Sequence, residues 1–400
     1  MGAPMTELFT SSRLSSIPRS GIRRVLERSY RPGTVSLAAG DPDFGTPHHI
    51  IAAATAAMER GETHYTHGRG LPELREAFAA KLRAENGIVA DPATEIVVTA
   101  GALNALASTF LATVDPGDGV IVPDPGFANY AAQVALAGGS VVPLALTDGL
   151  TIDLNELERL APTARVLVIN TPGNPTGVTL SRSVLEGVAE IAIRHDLLVI
   201  ADEAYEHLVY DEPHVSIASF PGMPERTISI HSMSKSWSMT GWRIGFATGP
   251  AHLMEEIAKA QEHLIGCPPA MTQWGAVAGL TGPTAERDAM VDRYRARRAL
   301  VIDTLRGVAG LDLVTPTGAF YAFPRFEIGV EGYELADVVA DGAGVVTIPG
   351  IAFGDGGSRH LRISYALPEE RLTEGLDKLA SWLTREAATD FSSIASRKES

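Results

Sequence analysis

The chain has 400 residues, of which 45% are hydrophobic and 20% charged, a balance typical of folded proteins and unlike that of disordered ones. Acidic residues outnumber basic ones by 48 to 33, and the net charge of −15 argues against nucleic acid as a main partner. The single cysteine, Cys267, can form no intramolecular disulfide and no multi-thiolate zinc site. We therefore expect a cytoplasmic protein.

Two uncharged stretches, 96–114 and 126–147, approach the length of a bilayer span. The first contains several threonine and serine side chains, and the second is interrupted by Gly138, Gly139 and Pro143. Both stretches are better explained as buried strand–turn–helix segments, so no contact with a membrane is expected.

Short runs rich in valine and isoleucine alternate with segments of helical periodicity. The runs are Ile96–Thr99, Val120–Pro123, Ser140–Leu144, Val166–Asn170, Leu197–Asp202, Thr227–Ser232 and Ile244–Thr248. Helical patterns lie between them, for example over 153–160 and over 181–194, where Ser181 is a suitable N-cap. Apolar strands separated by helices predict an α/β fold with a mostly parallel sheet covered by helices on both faces.

The pattern changes after about residue 281. An arginine-rich amphipathic helix is predicted over Arg287–Leu305, followed by short strands and a final helix near Glu369–Thr384. This change in the pattern of predicted elements indicates a smaller α+β domain over 282–390 beside a large domain over 41–281. Residues 1–40 are predicted to form an N-terminal arm and part of the small domain. The serine-rich and charged end, 391–400, is predicted to be a flexible tail.

Four polar segments follow predicted strands. They are Thr99–Ala102, Asn170–Gly177, Asp202–Tyr205 and Ser232–Lys235. Because ligands of open α/β sheets bind at the carboxyl ends of the strands, we expect the four segments to form one site. A lysine, an aspartate, a tyrosine, an asparagine and a helix N-terminus together suit a phosphorylated aldehyde with a heteroaromatic ring.

The same segments belong to a longer series of motifs that runs in order through nearly the whole chain. The series is Gly40-Asp41-Pro42-Asp43-Phe44, Tyr65, Gly70–Arg75, Asn174-Pro175-Thr176-Gly177, Asp202-Glu203-Ala204-Tyr205, Ser232-x-Ser234-Lys235, Gly241-Trp242-Arg243, Pro316-x-Gly318-Ala319-Phe320-Tyr321 and His360–Ser364. In this series the chain resembles the class I/II aminotransferases, which are fold-type I enzymes dependent on pyridoxal 5'-phosphate (PLP). The resemblance implies a PLP-binding large domain and a smaller α+β domain.

The resemblance also implies roles for individual residues. Lys235 would be the Schiff-base lysine, and it would move a proton between the substrate Cα and the cofactor C4′. Asp202 would pair with the pyridine nitrogen, whereas Tyr205 and Asn174 would hydrogen-bond the phenolic oxygen of the ring. Phe127 takes the place of a stacking tryptophan or tyrosine in relatives; it can stack but cannot donate a hydrogen bond.

By the same resemblance, the cofactor phosphate would lie against the helix that opens after Gly101. Its contacts would be the backbone N–H groups of Ala102 and Leu103 and the side chains of Ser232, Ser234 and Arg243. The substrate carboxylate would meet the Arg362 guanidinium, with Gly40 and Asn174 beside it. Tyr65 would reach the phosphate of the neighbouring subunit, which implies a homodimer.

The function implied is a ping-pong transfer of an amino group between an L-amino acid and a 2-oxo acid. A PLP-dependent lyase, a cyclase or a C–C bond-forming enzyme remains an alternative on the same fold, and a non-catalytic amino-acid sensor is a further one. Leu103, where some relatives with acidic substrates carry lysine, disfavours a dedicated aspartate or glutamate enzyme, although Arg69 could bind a distal carboxylate. No metal is expected, because the histidines at 48, 49, 64 and 67 lack ligand spacing.

Overall fold

The computed structural model describes residues 33–388 without a gap, and before them residues 11–15, 17–19, 21 and 25. The predicted flexible tail, 391–400, and most of the predicted N-terminal arm lie outside the described residues. The division into a large and a small domain stays a prediction, and the two regions are described below by their sheets.

The elements alternate between strand and helix through the first two thirds of the chain. The strands are β1 (Val35–Ser36), β2 (Ile96–Thr99), β3 (Gly119–Asp124), β4 (Ser140–Ala145), β5 (Val166–Asn170), β6 (Leu198–Asp202), β7 (Thr227–Ser232), β8 (Gly245–Thr248), β9 (Leu311–Asp312), β10 (Tyr321–Ala322), β11 (Arg325–Phe326), β12 (Val345–Val346), β13 (Ile348–Pro349) and β14 (Leu361–Ser364). The α-helices are α1 (Ser12–Ser15), α2 (His48–Glu59), α3 (Pro72–Lys81), α4 (Ala102–Thr113), α5 (Asn129–Ala137), α6 (Leu154–Leu160), α7 (Arg182–Arg194), α8 (Met233–Ser236), α9 (Ala251–Ile265), α10 (Ala270–Thr281), α11 (Ala285–Leu305), α12 (Gly332–Ala343) and α13 (Glu369–Ala387). A π-helical turn, Leu82–Asn86, extends α3, and short 3₁₀ turns lie at Ala161–Thr163, Ile217–Ser219, Pro224–Arg226, Thr240–Trp242, Gly350–Phe353 and Asp355–Gly357.

A seven-stranded sheet occupies the centre of the fold, in the order β2-β8-β7-β6-β5-β3-β4. The pairs among β3 to β7 are parallel, as the apolar runs predict. Strand β8 differs, because it runs antiparallel to both β2 and β7. The segment between β7 and β8 contains only α8 and one 3₁₀ turn, which is too short for the helical crossover that a parallel neighbour requires.

The predicted strand ends meet at one edge of this sheet. Asn170 and Asp202 are directly paired in the register of β5 and β6, and the Asn170 side-chain amide donates to the Asp202 carbonyl at 3.0 Å. Ser232 ends β7 in the same direction, and β2, antiparallel to β8, shares it. The four polar segments are therefore neighbours in space, as predicted.

The C-terminal region adds short sheets, with β14 between β10 and β13. Its core is made by aromatic side chains such as Phe320 and Tyr365 packed against α13 residues, including Leu376 and Trp382. Strand β1 pairs in parallel with β12, so the residues just before Gly40 belong to this region. The pairing fixes the start of the Gly40 segment beside β14, which carries Arg362.

Among the described residues, no helix combines the length and apolar composition that crossing a bilayer demands.

Candidate active site

A cavity of about 310 Å³ opens at the carboxyl edge of the central sheet. Its walls are formed by Gly40, Ala102, Leu103, Leu106, Phe127, Tyr130, Asn170, Asn174, Asp202, Ala204, Tyr205, Ser232, Ser234, Lys235, Thr240, Arg243, Tyr321 and Arg362. All but two of the residues predicted for the site therefore contribute to one cavity. The exceptions are Gly101, which directly precedes the lining residue Ala102 in the chain, and Tyr65, which lies outside the cavity.

Lys235 is presented by the one-turn helix α8 directly after β7. The Ser232 hydroxyl caps this helix by accepting from the Ser234 N–H at 3.1 Å. The Lys235 ammonium donates to the Gly40 carbonyl at 2.6 Å. Burial, reinforced by Arg362 and Arg243 and opposed by Asp41, lowers the pKa of Lys235 to about 8. At pH 7 about a tenth of the amine is therefore neutral and nucleophilic, far more than for an ordinary lysine.

Asp202 is the last residue of β6, and its carboxylate is buried. One oxygen accepts from the Tyr130 hydroxyl at 2.6 Å, and the other accepts from the Ala204 N–H at 3.1 Å. Burial raises the pKa of Asp202, and the Tyr130 and Ala204 hydrogen bonds oppose that effect. A buried carboxylate held in this way can pair with a cationic ring nitrogen placed in the cavity.

Sequence reasoning missed Tyr130. Its side chain is fully buried, and burial together with the Asp202 carboxylate raises its pKa well above the usual value. Tyr130 lies one helical turn beyond Phe127, which packs edge-on against it with 5.5 Å between ring centroids. That i, i+3 spacing from a predicted site residue was the available signal.

The basic end of the cavity is built around the start of α4. Gly101, the N-cap, has φ +80°, and the first-turn N–H groups of Ala102 and Leu103 follow it. A Cβ on Gly101 would lie 2.7 Å from Arg243 Nη2, so glycine permits this close approach. Free N–H groups at a helix N-terminus beside a guanidinium form an anion site. Ser232 and Ser234 complete the wall.

Arg362 enters the cavity from β14, on the side of the C-terminal sheet. Its guanidinium donates to Asn174 Oδ1 at 3.0 Å and to the Ala38 carbonyl at 2.8 Å, and it lies 4.4 Å from the Tyr321 ring centroid. Its Nε is buried without a hydrogen-bond partner. The Arg362 Nε–H group is therefore able to donate a hydrogen bond to a carboxylate in the cavity.

Tyr205 and Tyr321 both line the cavity, and their hydroxyl groups are hydrogen-bonded to each other at 2.9 Å. Tyr321 belongs to the motif series but was not a predicted site residue. Its hydroxyl also lies where a side chain on Gly40 would project, so Gly40 must lack a Cβ.

Tyr65 and Arg69 lie outside the cavity. Tyr65 is 94% exposed and borders a surface depression that includes Cys267. The Arg69 guanidinium is paired with Glu255 and donates to the Thr94 carbonyl at 3.1 Å, so it does not bind a ligand in this cavity.

One further group of acidic and histidine side chains, Glu203, Glu206 and His214, is close enough together to hold a metal ion. The cation there is already supplied by the chain, because the Lys81 ammonium contacts Glu206. Sequence reasoning did not single out this group.

The chain is similar to known aminotransferases over almost its full length. The family model of class I and II aminotransferases matches residues 32–379. The chain is 40% identical to an aspartate aminotransferase of Pyrococcus abyssi, with 95% of this chain and 99% of the relative covered. It is 39% identical to aromatic-amino-acid aminotransferase 2 of Thermococcus litoralis, with 92% and 97% covered.

Solved structures give the same result. The aspartate aminotransferase from Thermus thermophilus with maleate superposes with a TM-score of 0.88 at 36% identity, covering 93% of this chain and 99% of that one. The aromatic aminotransferase from Pyrococcus horikoshii superposes with a TM-score of 0.86 at 39% identity, covering 92% and 100%. The predicted fold-type I architecture and transaminase activity are thus confirmed over the lyase and sensor alternatives. The chain belongs to the class I and II aminotransferase family.

Proposed function

We propose that the cavity binds PLP with Lys235 as its Schiff-base lysine, Asp202 at the ring nitrogen and the start of α4 at the phosphate. The observation that carries this proposal is the placement of Lys235, Asp202 and Arg362 in one cavity, although three separate elements supply them. Tyr205 and Asn174 would contact the phenolic oxygen, and Phe127 would stack on the ring.

The donor set fits such a cofactor. The anion site at Gly101 and Arg243 suits a phosphate. The buried Asp202 carboxylate suits a cationic ring nitrogen, and the lowered pKa of Lys235 suits attack on an aldehyde. The buried Arg362 Nε leaves a donor for the carboxylate of a substrate.

When bound, PLP supplies an aldehyde that condenses with amines and a ring that withdraws electrons from the substrate Cα. Lys235 would hold the aldehyde carbon of the cofactor and would serve as the base and acid that moves a proton between the substrate Cα and C4′. Asp202 would keep the ring nitrogen protonated, and Arg362 would hold the α-carboxylate in a bidentate pair. These roles give a transfer in two halves, with one site serving both.

We infer that the enzyme prefers neutral or aromatic amino acids to acidic ones. Leu103, Leu106 and Phe127 give the cavity an apolar wall. Among the described residues that line it, the cationic side chains are Lys235, Arg243 and Arg362, and each already has a role. Within the described part of the chain, the cavity wall therefore offers no further cation to the second carboxylate of an acidic substrate.

We further propose that the enzyme is a cytoplasmic homodimer in which Tyr65 reaches the phosphate of the neighbouring site. Its 94% exposure supports the proposal only in that it leaves the Tyr65 side chain accessible to a second subunit.

The test is a half-reaction. An amino acid added alone should transfer about one equivalent of amino group per site and then stop, and a 2-oxo acid should then restart turnover. Released oxo acid is measured over a panel of phenylalanine, tyrosine, leucine, alanine and aspartate. Steady turnover without any oxo acid would contradict transamination, and a preference for aspartate would contradict the apolar pocket.

The attachment site is tested separately. After borohydride reduction of the holoenzyme, peptide mapping should locate the cofactor on Lys235. A label on another lysine would overturn the assignment of Lys235.

A further inference from the structure

A second set of charged side chains lies directly behind the cavity. Asp202, Tyr205 and Ser232 face the cavity, whereas their chain neighbours Glu203, Glu206 and His231 do not line it. On β7, this alternation follows from the two-residue period of a strand. Glu203, Glu206 and His231 are all buried, with exposed fractions of 0%, 7% and 0%.

Glu206 is the centre of this set. One carboxylate oxygen lies 3.0 Å from His231 Nδ1, and the other contacts the Lys81 ammonium and accepts from the Asn86 amide at 2.8 Å. Burial opposes ionisation of Glu206, but His231 and Lys81 outweigh it and hold the pKa of Glu206 well below the usual value. We call Lys81, Asn86, Glu203, Glu206 and His231 the back-face network.

The π-helical turn at the end of α3 brings Lys81 and Asn86 to this network. The Lys81 ammonium donates to Asn86 Oδ1 at 2.8 Å across five residues, which is the spacing of a π-helical turn. Asn86 also donates to Glu203 Oε2 at 3.4 Å. An ordinary α-helical continuation would place side chains five residues apart on different faces.

A parallel link reaches the chain neighbour of Lys235. His207 bridges Glu85 of the same π-helical turn and Ser236, the residue after Lys235, with ring nitrogens 2.8 Å and 2.9 Å from the two side chains. On the far side of the network, the His231 ring stacks on Phe246 of β8 at 4.8 Å.

We propose that the back-face network fixes the positions of Asp202, Tyr205 and Ser232, which makes Glu206 and His231 positioning residues for the cofactor site. The inference rests on the proposed function. Glu206 joins the segment after β6, which carries Tyr205, to His231 of β7, and so holds Tyr205 and Ser232 in one relative position. Removing a partner from a buried carboxylate is costly, because the carboxylate then stays buried without its hydrogen bond. Loss of a single member should therefore disturb the positions of the others.

The test compares two substitutions of one residue. His231→Leu removes the donor to Glu206, whereas His231→Asn keeps an amide donor near the position of Nδ1. The affinity of the apoenzyme for PLP is measured by titration of tryptophan fluorescence, together with the thermal midpoint of the apoenzyme without PLP. We expect His231→Leu to bind PLP about tenfold or more weakly and His231→Asn to stay within about threefold of wild type. In turnover, kcat should fall while the KM for the amino acid changes little, since Arg362 is untouched.

The matched control is His195→Leu, which breaks a histidine–glutamate pair of 2.9 Å with Glu158 far from the cavity. It should leave PLP affinity unchanged. Where His231→Leu does not fold, Lys81→Met provides the same test from α3 and should also weaken PLP binding severalfold.

Equal PLP affinity in wild type, His231→Leu and Lys81→Met would overturn the inference alone. The inference also fails if the thermal midpoint falls while PLP affinity does not. A wild-type apoenzyme that binds no PLP would instead overturn the proposed function and this inference with it.

Discussion

The Lys235 amine titrates far below an ordinary lysine because burial penalises its charged form. We expect competitive labelling of the apoenzyme with acetic anhydride, read by peptide mass spectrometry, to give Lys235 a midpoint near pH 8. The same lysine in urea-unfolded protein should give a midpoint near 10.5. A folded-state midpoint equal to the unfolded one would show that the site does not depress the pKa of Lys235.

Asp202 and Tyr130 should contribute unequally to turnover. Asp202→Asn removes the charge that pairs with the ring nitrogen, and kcat should fall about 100- to 1000-fold while PLP stays bound. Tyr130→Phe removes only the hydroxyl that donates to Asp202 at 2.6 Å, and kcat should fall about tenfold. Rapid-quench measurement of Cα–H exchange separates the chemical step from product release. Turnover of Asp202→Asn close to wild type would remove this carboxylate from the mechanism.

The residues that sequence reasoning found and those that it missed differ in one physical respect. Lys235 and Asp202 carry charges at the ends of apolar runs and Arg362 carries one within a run, and all three belong to the motif series. Tyr130 and Tyr321 contribute hydroxyl groups on otherwise apolar side chains. In the sequence, each looks like an aromatic residue of the hydrophobic core, and only the structure shows what its hydroxyl contacts. Glu206 carries a charge but follows Tyr205 in a loop, where an exposed carboxylate is the ordinary expectation.

At the scale of elements, the α4 N-terminus depends on the glycine that precedes it. Gly101→Ala would force a Cβ onto a residue at φ +80° and against Arg243 Nη2. We expect about tenfold weaker binding of PLP to the apoenzyme. Gly117→Ala is the matched control, because its φ is +94° and no atom lies within 4 Å of the added Cβ. Both variants should lose similar thermal stability, and a similar loss of PLP affinity in both would contradict a local effect on the anion site.

The sequence predicted where the strands of the central sheet lie, but it did not predict the direction of every strand. The apolar runs matched β2 to β8 within one or two residues, and Ser181 caps α7 as expected, with its hydroxyl accepting from the Val184 N–H at 3.3 Å. Hydrophobic periodicity carries no information about direction, however, so the antiparallel β8 was not foreseen. The short connection after Ser232 was the only signal, and it also forms the turn that presents Lys235.

At the scale of the whole molecule, long-range pairing joins the parts that make the site. Strand β1 pairs with β12, and the Leu37 carbonyl accepts from the Ser364 N–H at 2.8 Å, so the segment before Gly40 is held beside Arg362. No local pattern predicts a partner more than 300 residues away along the chain. The motif series predicted that these segments share a site. The contacts that hold the segments together form only in the complete fold.

The proposed dimer can be tested by mixing two inactive variants, because each site would need residues from both subunits. Lys235→Ala and Tyr65→Ala subunits, each poorly active alone, are unfolded together and refolded. If Tyr65 serves the neighbouring site, each hybrid dimer contains one intact site, and random association should restore about a quarter of wild-type activity. Lys235 and Arg362 line the same cavity of one chain. Mixing Lys235→Ala with Arg362→Leu should therefore restore nothing, because neither site of the hybrid is intact. Equal recovery in the two mixtures, or none in the first, would show that Tyr65 does not act across an interface.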